Sequence, residues 1–401
     1  MKKNDRQIIH ELAKRYMEFA HSDEQQKANQ RMKDSNDLKI VRPPVLIDEI
    51  PWHELTSDED LICLCEEPTA RKTEFYFRRA LFQKKHLKTD LIMPMYWKVY
   101  MAYDITPLGV EAKETRIGCA KRFEDVLKEE SSILQISDPV FTPRPDHDEK
   151  NMEYFSELFG DVMPVKLVGA NCLYSPFWDD ISRLRGVEPI YEDLYERPEY
   201  LHLIMQKIID RAKAKMDFLE TRFHVDNDPQ SLHCTPGMIS GLAEDGLKAT
   251  WYRGMAQPFS CISPAMFKEF ELDYIKPLAE RCAYTYYGCC EPLDDRIELL
   301  KTISNLRKVG VSPWSDVEKC AEQLGADFVF ARKPNPANVA IQTSPEQIRK
   351  ETEETVKVCL KYGCPVEFVL KDITTVSRKL ENLTVWADTV SAVLDEYYEK
   401  A

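Results

Sequence analysis

The sequence predicts an α/β chain, a (β/α)8 TIM-type barrel with an N-terminal helical extension and insertions. Three observations predict it. Apolar strand-like segments alternate with helical ones, strand starts in the C-terminal half lie about 20 to 40 residues apart, and eight such segments occur in all. In chain order they are PPVLIDEI (43–50), DLIMPMYW (90–97), VKLVGA (165–170), TWYRGMAQ (250–257), AYTYYG (283–288), LRKVGV (306–311), DFVFA (327–331) and PVEFVL (365–370). Helical spacing covers roughly 198–222, a stretch opened by Ser263-Pro264 and running to about Cys282, and 293–303. Ser315 and Glu318 form a capping box ahead of DVEKCAEQL, with Gly325 as the stop. Ser344-Pro345 opens a helix running to Gly363, and 381–398 closes the chain.

An ordinary barrel takes about 250 residues. The excess is expected in an N-terminal helical extension (1–40) and in insertions at 98–160 and 224–249, within one barrel domain spanning 1–401. A doubly wound sheet would need a nucleotide-binding loop, and neither GxGxxG nor GxxxxGK[ST] occurs.

The 401 residues carry 54 Lys and Arg against 68 Asp and Glu, a formal charge of −14. That balance argues against a nucleic-acid partner, which calls for a concentration of positive charge. No uncharged apolar run is long enough for a spanning helix, and MKKNDRQIIHELAKRYMEF lacks the apolar stretch of a secretory signal. A cytoplasmic location is the expectation, with no membrane partner. The twelve cysteines fit it, being mostly single residues in apolar segments (Cys119, Cys172, Cys261, Cys282, Cys320, Cys359). Two places depart from that pattern: Cys63/Cys65, read as structural, and the vicinal pair Cys289-Cys290. No histidine follows His233.

Barrel enzymes work at the C-terminal ends of their strands. Polar and aromatic residues gather there in this sequence: Gln257, then Tyr287-Gly288-Cys289-Cys290-Glu291, then Trp314, then Lys333 and Asn335, and finally Lys371-Asp372. Cys289, Cys290 and Glu291 are candidate zinc ligands, since zinc takes sulfur, nitrogen and oxygen donors; the alternative is that one Cys simply packs in the barrel. His233, beside Cys234, is a further candidate ligand, and the alternative for it is a hydrogen-bonded structural role. His53 would reach the same face or lie on the surface. Lys333 can hold a substrate carboxylate or phenolate and Asp372 can act as a base, or the two can form a salt bridge. Asn335 sits between two prolines in a stiff loop suited to positioning. Trp314 could wall a flat substrate, while Trp251 reads as core.

At these residues the sequence resembles the uroporphyrinogen decarboxylase superfamily. GMAQPFSCISPAMFKEFELDYIKPLAERCAYTYYGCCEPLDDRIELLK is similar to its strand–SP–helix–strand core. VSPWSDVEKCAEQLGADFVFARKPNPANV and EFVLKDITTV…ENLTVWADTV are similar to the strands that follow, and SPFWDDISRLRGVEPIYEDLYERPEYLHLIMQKI to the middle section. The likeness covers about 165–400. The family includes decarboxylases, which carry an arginine motif after the first strand; VLIDEIPWHEL has no Arg. It also includes cobalamin-dependent methyltransferases, with an HxCG zinc motif at the fifth strand end and a Cys after the last strand. Here those places read Tyr287-Gly288-Cys289 and Lys371-Asp372, so only Cys289 carries over, and the resemblance implies a ligand set rearranged among Cys289, Cys290, Glu291 and His233.

The resemblance thus implies a methyltransferase moving methyl between a small O-, S- or N-methyl compound and a corrinoid (cobalamin) carried by a partner protein, with zinc as Lewis acid. Glu291 or Asp372 would handle the proton, Lys333 would serve the catalytic set, and Gln257, Tyr287, Trp314 and Asn335 would bind substrate. Two alternatives are a metal-free decarboxylase or lyase of an aromatic or pyrrolic acid, with Lys333 on the carboxylate, and a non-catalytic barrel that binds a corrinoid protein.

Overall fold

The computed structural model describes residues 3–117, 120–170, 172–223, 225, 232–341 and 343–398. Cys119 and most of 224–231, part of an expected insertion, lie outside the described residues. Seven parallel strands form one curled sheet: β1 (Val45–Ile47), β2 (Cys172–Ser175), β3 (Trp251–Gly254), β4 (Tyr284–Tyr287), β5 (Leu306–Val311), β6 (Val329–Arg332) and β7 (Val366–Leu370). Their spatial order is β1-β7-β6-β5-β4-β3-β2, which is a TIM-type barrel open on one side, between β1 and β2.

Alternation along the strands sets two layers. Tyr252, Val309, Val311, Phe330, Val366, Phe368 and Leu370 face out and are buried among the helices, including Leu380–Tyr398 with its Leu383, Trp386, Val390 and Leu394. Trp251, Tyr286 and Ala331 form a smaller inner cluster, and Leu46 and Val369 another. Charged side chains also face in: Lys308 Nζ and Glu367 Oε2 make a fully buried ion pair at 2.7 Å.

The second predicted strand is corrected. Asp90 begins beside β1, its N–H donating to the Val45 carbonyl at 2.7 Å and its carboxylate accepting the Val45 N–H at 2.9 Å. Pro94 then has no N–H to continue a ladder. Extended structure resumes only at Trp97–Tyr100, which pairs with Val165–Val168 in a separate two-stranded sheet, so the third predicted strand, 165–170, also lies outside the barrel sheet. The sheet's edge is instead β2, a four-residue strand that the sequence pattern did not reveal.

A loop lies along the inside of the open barrel. Leu232–Met238 runs inside the sheet, with Trp251 Nε1 donating to the Gly237 carbonyl (2.9 Å), Arg253 Nε to the Leu232 carbonyl (3.1 Å) and Thr235 Oγ1 to Glu367 (2.8 Å). The N-terminal helix Asp23–Asn36 closes this end: Asn36 Nδ2 donates to the carbonyl of Met238 at 2.9 Å, and Met32 packs with Leu46, Cys234 and Val369. A second apolar cluster joins helices Lys3–Ala20, Pro68–His86 and Pro145–Phe159 around Phe77 and Phe159. Cys65 is buried in it, as a structural residue.

Ser263 and Ser344 cap their helices as expected. The 316–324 helix differs: Asp316, not Ser315, accepts the Lys319 N–H at 3.0 Å, while Ser315 lies against Ser312. Among the described residues no helix is long and apolar enough to cross a membrane.

Candidate active site

The chain turns sharply after β4 because Gly288 adopts φ +93°, a conformation open to glycine. A Cβ there would come within 2.3 Å of Leu293, and one on Gly310 of β5 within 2.7 Å of the Gly288 carbonyl oxygen. Two glycines thus let β4 and β5 close tightly and send Cys289 and Cys290 over the strand ends. Cys289 is fully buried and Cys290 half-buried.

Lys371, at the end of β7, meets them. Along β7, Glu367, Val369 and Lys371 share the inner face by two-residue spacing, which brings the ammonium under the thiols. Its Nζ lies 2.9 Å from Cys289 Sγ, 3.2 Å from Cys290 Sγ and 3.0 Å from each Asp372 oxygen. Cys290 Sγ donates to Asp372 Oδ2 at 3.0 Å and stands 3.6 Å from Cys289 Sγ. The Cys290 hydrogen bond, His233, and the charges of Arg253 and Lys371 hold the Cys289 thiol well below its ordinary range, against the opposing effect of burial. Burial alone would lower the Lys371 pKa; the sulfur charges outweigh it and raise it. Cys289 is thus the more acidic thiol of the pair, and its sulfur faces the Lys371 ammonium at 2.9 Å.

Glu291 is buried, and both oxygens are engaged: Oε1 accepts the Ala256 N–H (3.1 Å) and Oε2 the Cys289 N–H (3.0 Å). Burial first, and the Cys289 charge second, push it up to about 7. It ties the end of β3 to the thiols. Arg253 is fully buried; its guanidinium lies 3.9 Å from the Tyr286 ring centroid and donates to the Gly254 and Gly288 carbonyls at 2.5 and 2.7 Å. Asp179 reaches the same rim, its carboxylate accepting the Gln257 N–H at 3.3 Å, and burial raises it to about 6. His233 stacks on Tyr174 with ring centroids 5.3 Å apart.

Backbone strain concentrates here. Glu49, His233, Cys234 and Asp372 have φ of 57°, 56°, 82° and 59°, each costing on the order of 1–3 kcal/mol for a non-glycine residue. The Asp372 N–H donates to Glu49 Oε2 at 2.8 Å, which holds one such residue against another.

The structure therefore brings together Gln257, Cys289, Cys290, Glu291, Asp372 and His233. Lys333 joins at one remove. It is buried, with Nζ 3.4 Å from Cys234 Sγ and 5.6 Å from the Tyr286 ring centroid, while the ion pair with Asp372 is made by Lys371 instead. Three expectations are corrected. Tyr287 faces the outer layer, donating to Glu271 Oε1 at 3.0 Å, because alternation turns Tyr286 inward. Trp314 is 70% exposed, outside the buried cluster around the thiols. Asn335 Oδ1 accepts the Ala337 N–H at 3.0 Å, a turn contact. His53 is exposed on a short helical turn, Trp52–Glu54.

Cys289, Cys290, Glu291 and His233 do not fit a zinc ion as they stand. Glu291 spends its oxygens on backbone amides, the Lys371 ammonium holds the position of a cation between the sulfurs, and among the described residues no three His, Cys, Asp or Glu side chains are arranged to ligate a metal.

Arg253 and Lys371 were the main residues missed as site members. Their signal was present in the two-residue spacing that puts each on an inner face. Tyr174 and Asp179 depended on β2, which left no such signal.

No family model matches the sequence, and no curated protein does. Among solved structures, a methyltransferase from Methanosarcina mazei is similar, with a TM-score of 0.50 at 13% identity, over 92% of this chain and 99% of that one. The likeness is one of fold.

Proposed function

We propose that this chain is a methyltransferase that moves a methyl group between a small methylated compound and the corrinoid of a partner protein. One observation carries the reading. Cys289, the position that carries over from the resembled motif, lies buried at a strand end with its sulfur 2.9 Å from the Lys371 ammonium. The fold shared with a solved methyltransferase supports the same class.

The corrinoid would supply the cobalt centre between which and the heteroatom the methyl moves. The chain's own residues supply charge and order. Lys371 places a positive charge at Nζ, which would steady the negative charge that gathers on a heteroatom as its methyl leaves. Asp372 and Cys289 hold that ammonium in place, and Glu291 fixes the Cys289 backbone. The shared enclosure aligns the reacting centres, which is worth more than any single contact.

The test is to mix the chain with reduced corrinoid and a panel of methyl ethers, thioethers and amines, following the Co(I) absorbance. Its loss with one compound class, slowed about 100-fold or more in Lys371→Gln, supports the reading. Unchanged absorbance across the panel, with a folded protein, overturns it.

A further inference from the structure

We propose that Cys289 and Cys290 form an oxidisable pair, a modification site at which a peroxide converts the two thiols into a vicinal disulfide. The inference does not depend on the methyl-transfer reading.

The geometry supplies each requirement of the chemistry. The sulfurs are 3.6 Å apart on adjacent residues; their Cα atoms, about 3.8 Å apart across the peptide, are closer than an ordinary disulfide prefers, so the bond of about 2.05 Å closes a strained ring that is easily reduced. Gly288 before the pair gives the turn local freedom. The two thiols differ in role: Cys290 is half-buried at the rim, within reach of a small oxidant, while Cys289 is fully buried behind it. Asp372 accepts the Cys290 S–H at 3.0 Å, and Lys371 contacts both sulfurs, so either one can carry the pair's negative charge beside the ammonium.

The steps balance with hydrogen peroxide as the oxidant. Cys290 passes its proton to the Cys289 sulfur, 3.6 Å away, so that the pair's negative charge moves to the outer sulfur beside Lys371, and that sulfur attacks one peroxide oxygen. The O–O bond breaks, and the departing hydroxide takes the proton back as water, leaving Cys290 as a sulfenic acid. The Cys289 thiolate then attacks the Cys290 sulfur. An S–S bond forms, the S–O bond breaks, and the second hydroxide leaves as water with a proton from Lys371. The sulfurs lose two electrons and the peroxide gains them. The disulfide no longer offers Lys371 a thiolate, so oxidation dismantles the ion pair at the centre of the site.

Cys261 supplies an internal standard, because it is an exposed cysteine. The full chain is reduced, freed of reductant, treated with hydrogen peroxide, alkylated and mapped by peptide mass. The expected result is that the peptide holding Cys289 and Cys290 loses two hydrogens and resists alkylation before Cys261 has reacted, and that dithiothreitol reverses it. In Cys289→Ser the reaction stops at a Cys290 sulfenic acid that dimedone traps. In Lys371→Met, closure slows about tenfold as thiolate is lost. Circular dichroism of each variant checks that it is folded. A pair that remains alkylatable after Cys261 is oxidised overturns the proposal, as does oxidation of Cys290 that proceeds to the sulfinic acid in the folded wild-type chain.

Discussion

The two sides of the barrel are built on different principles. From β3 to β7 each strand pairs with the next through backbone hydrogen bonds, and a mostly apolar outer face packs beneath helices. Between β1 and β2 the sheet does not close, and Leu232–Met238 lies along the inside with hydrogen bonds that involve side chains: Trp251, Arg253 and Thr235 each hold one point of the loop. The first side is a repeated unit, tolerant of local change. The second is a single path fixed by a few polar contacts, with His233 and Cys234 held at positive φ. The strained, charged residues of the site lie along the seam between the two, which is where order has been spent on geometry instead of packing.

Glu367 joins the sides, since Oε2 accepts from both Lys308 of β5 and Thr235 of the loop. Glu367→Ala leaves the Lys308 ammonium buried and unpaired, and burial already pulls its pKa down. The expected loss is about 3–5 kcal/mol in urea denaturation, the cost of removing one member of a buried pair. A loss under about 1 kcal/mol would show that the two sides are held together by something other than this carboxylate.

The next effect separates charge from packing. Glu291 sits at about 7 against an ordinary 4.5. Its native form keeps the proton through that interval while the unfolded chain gives it up, so stability falls as pH rises from about 4.5 to 7 and then levels. The span corresponds to about 3 kcal/mol at most. Glu291→Gln carries no proton to lose, and its stability should be flatter by that amount between the two pH values. Denaturation at several pH values measures it, and parallel curves for wild type and variant would remove Glu291 from the account.

A smaller loss tests the turn itself. Gly288→Ala places a methyl against Leu293 at a positive φ, and should cost about 1–3 kcal/mol. It should also raise the Cys289 thiol toward its ordinary pKa, read as slower alkylation at neutral pH, since the sulfur can no longer sit under Lys371.

These residues also show what was legible. The repeated side could be read from the sequence because a buried parallel strand has an apolar, β-branched or aromatic signature bounded by turn residues; LRKVGV and PVEFVL carry it plainly. The open side could not. DLIMPMYW has the composition of a strand, yet Pro94 breaks its ladder and the segment pairs elsewhere. CLYS is too short to announce itself. At the site, the strand-end rule pointed to Cys289, Cys290, Glu291 and Asp372, which the fold brings together. It erred at Tyr287, where a one-residue change of phase separates the inner face from the outer. The partner of the thiols was Lys371, the residue just before the one singled out, and only the inner-face spacing from Glu367 would have assigned it.

The smallest change isolates the open side alone. Thr235→Val keeps the shape of the side chain and removes its hydrogen bond to Glu367, which still holds Lys308 at 2.7 Å. One lost hydrogen bond to a charged acceptor that keeps its ion pair is worth about 1.5 kcal/mol, the low end for such bonds, a modest change in the global transition. If the loop is a separate unit fixed by polar points, the change should appear locally: amide exchange in 232–238 should quicken while β5, β6 and β7 keep their protection. Equal quickening across the strands would mean that loop and sheet open together, and the seam would then be one cooperative structure, not a boundary.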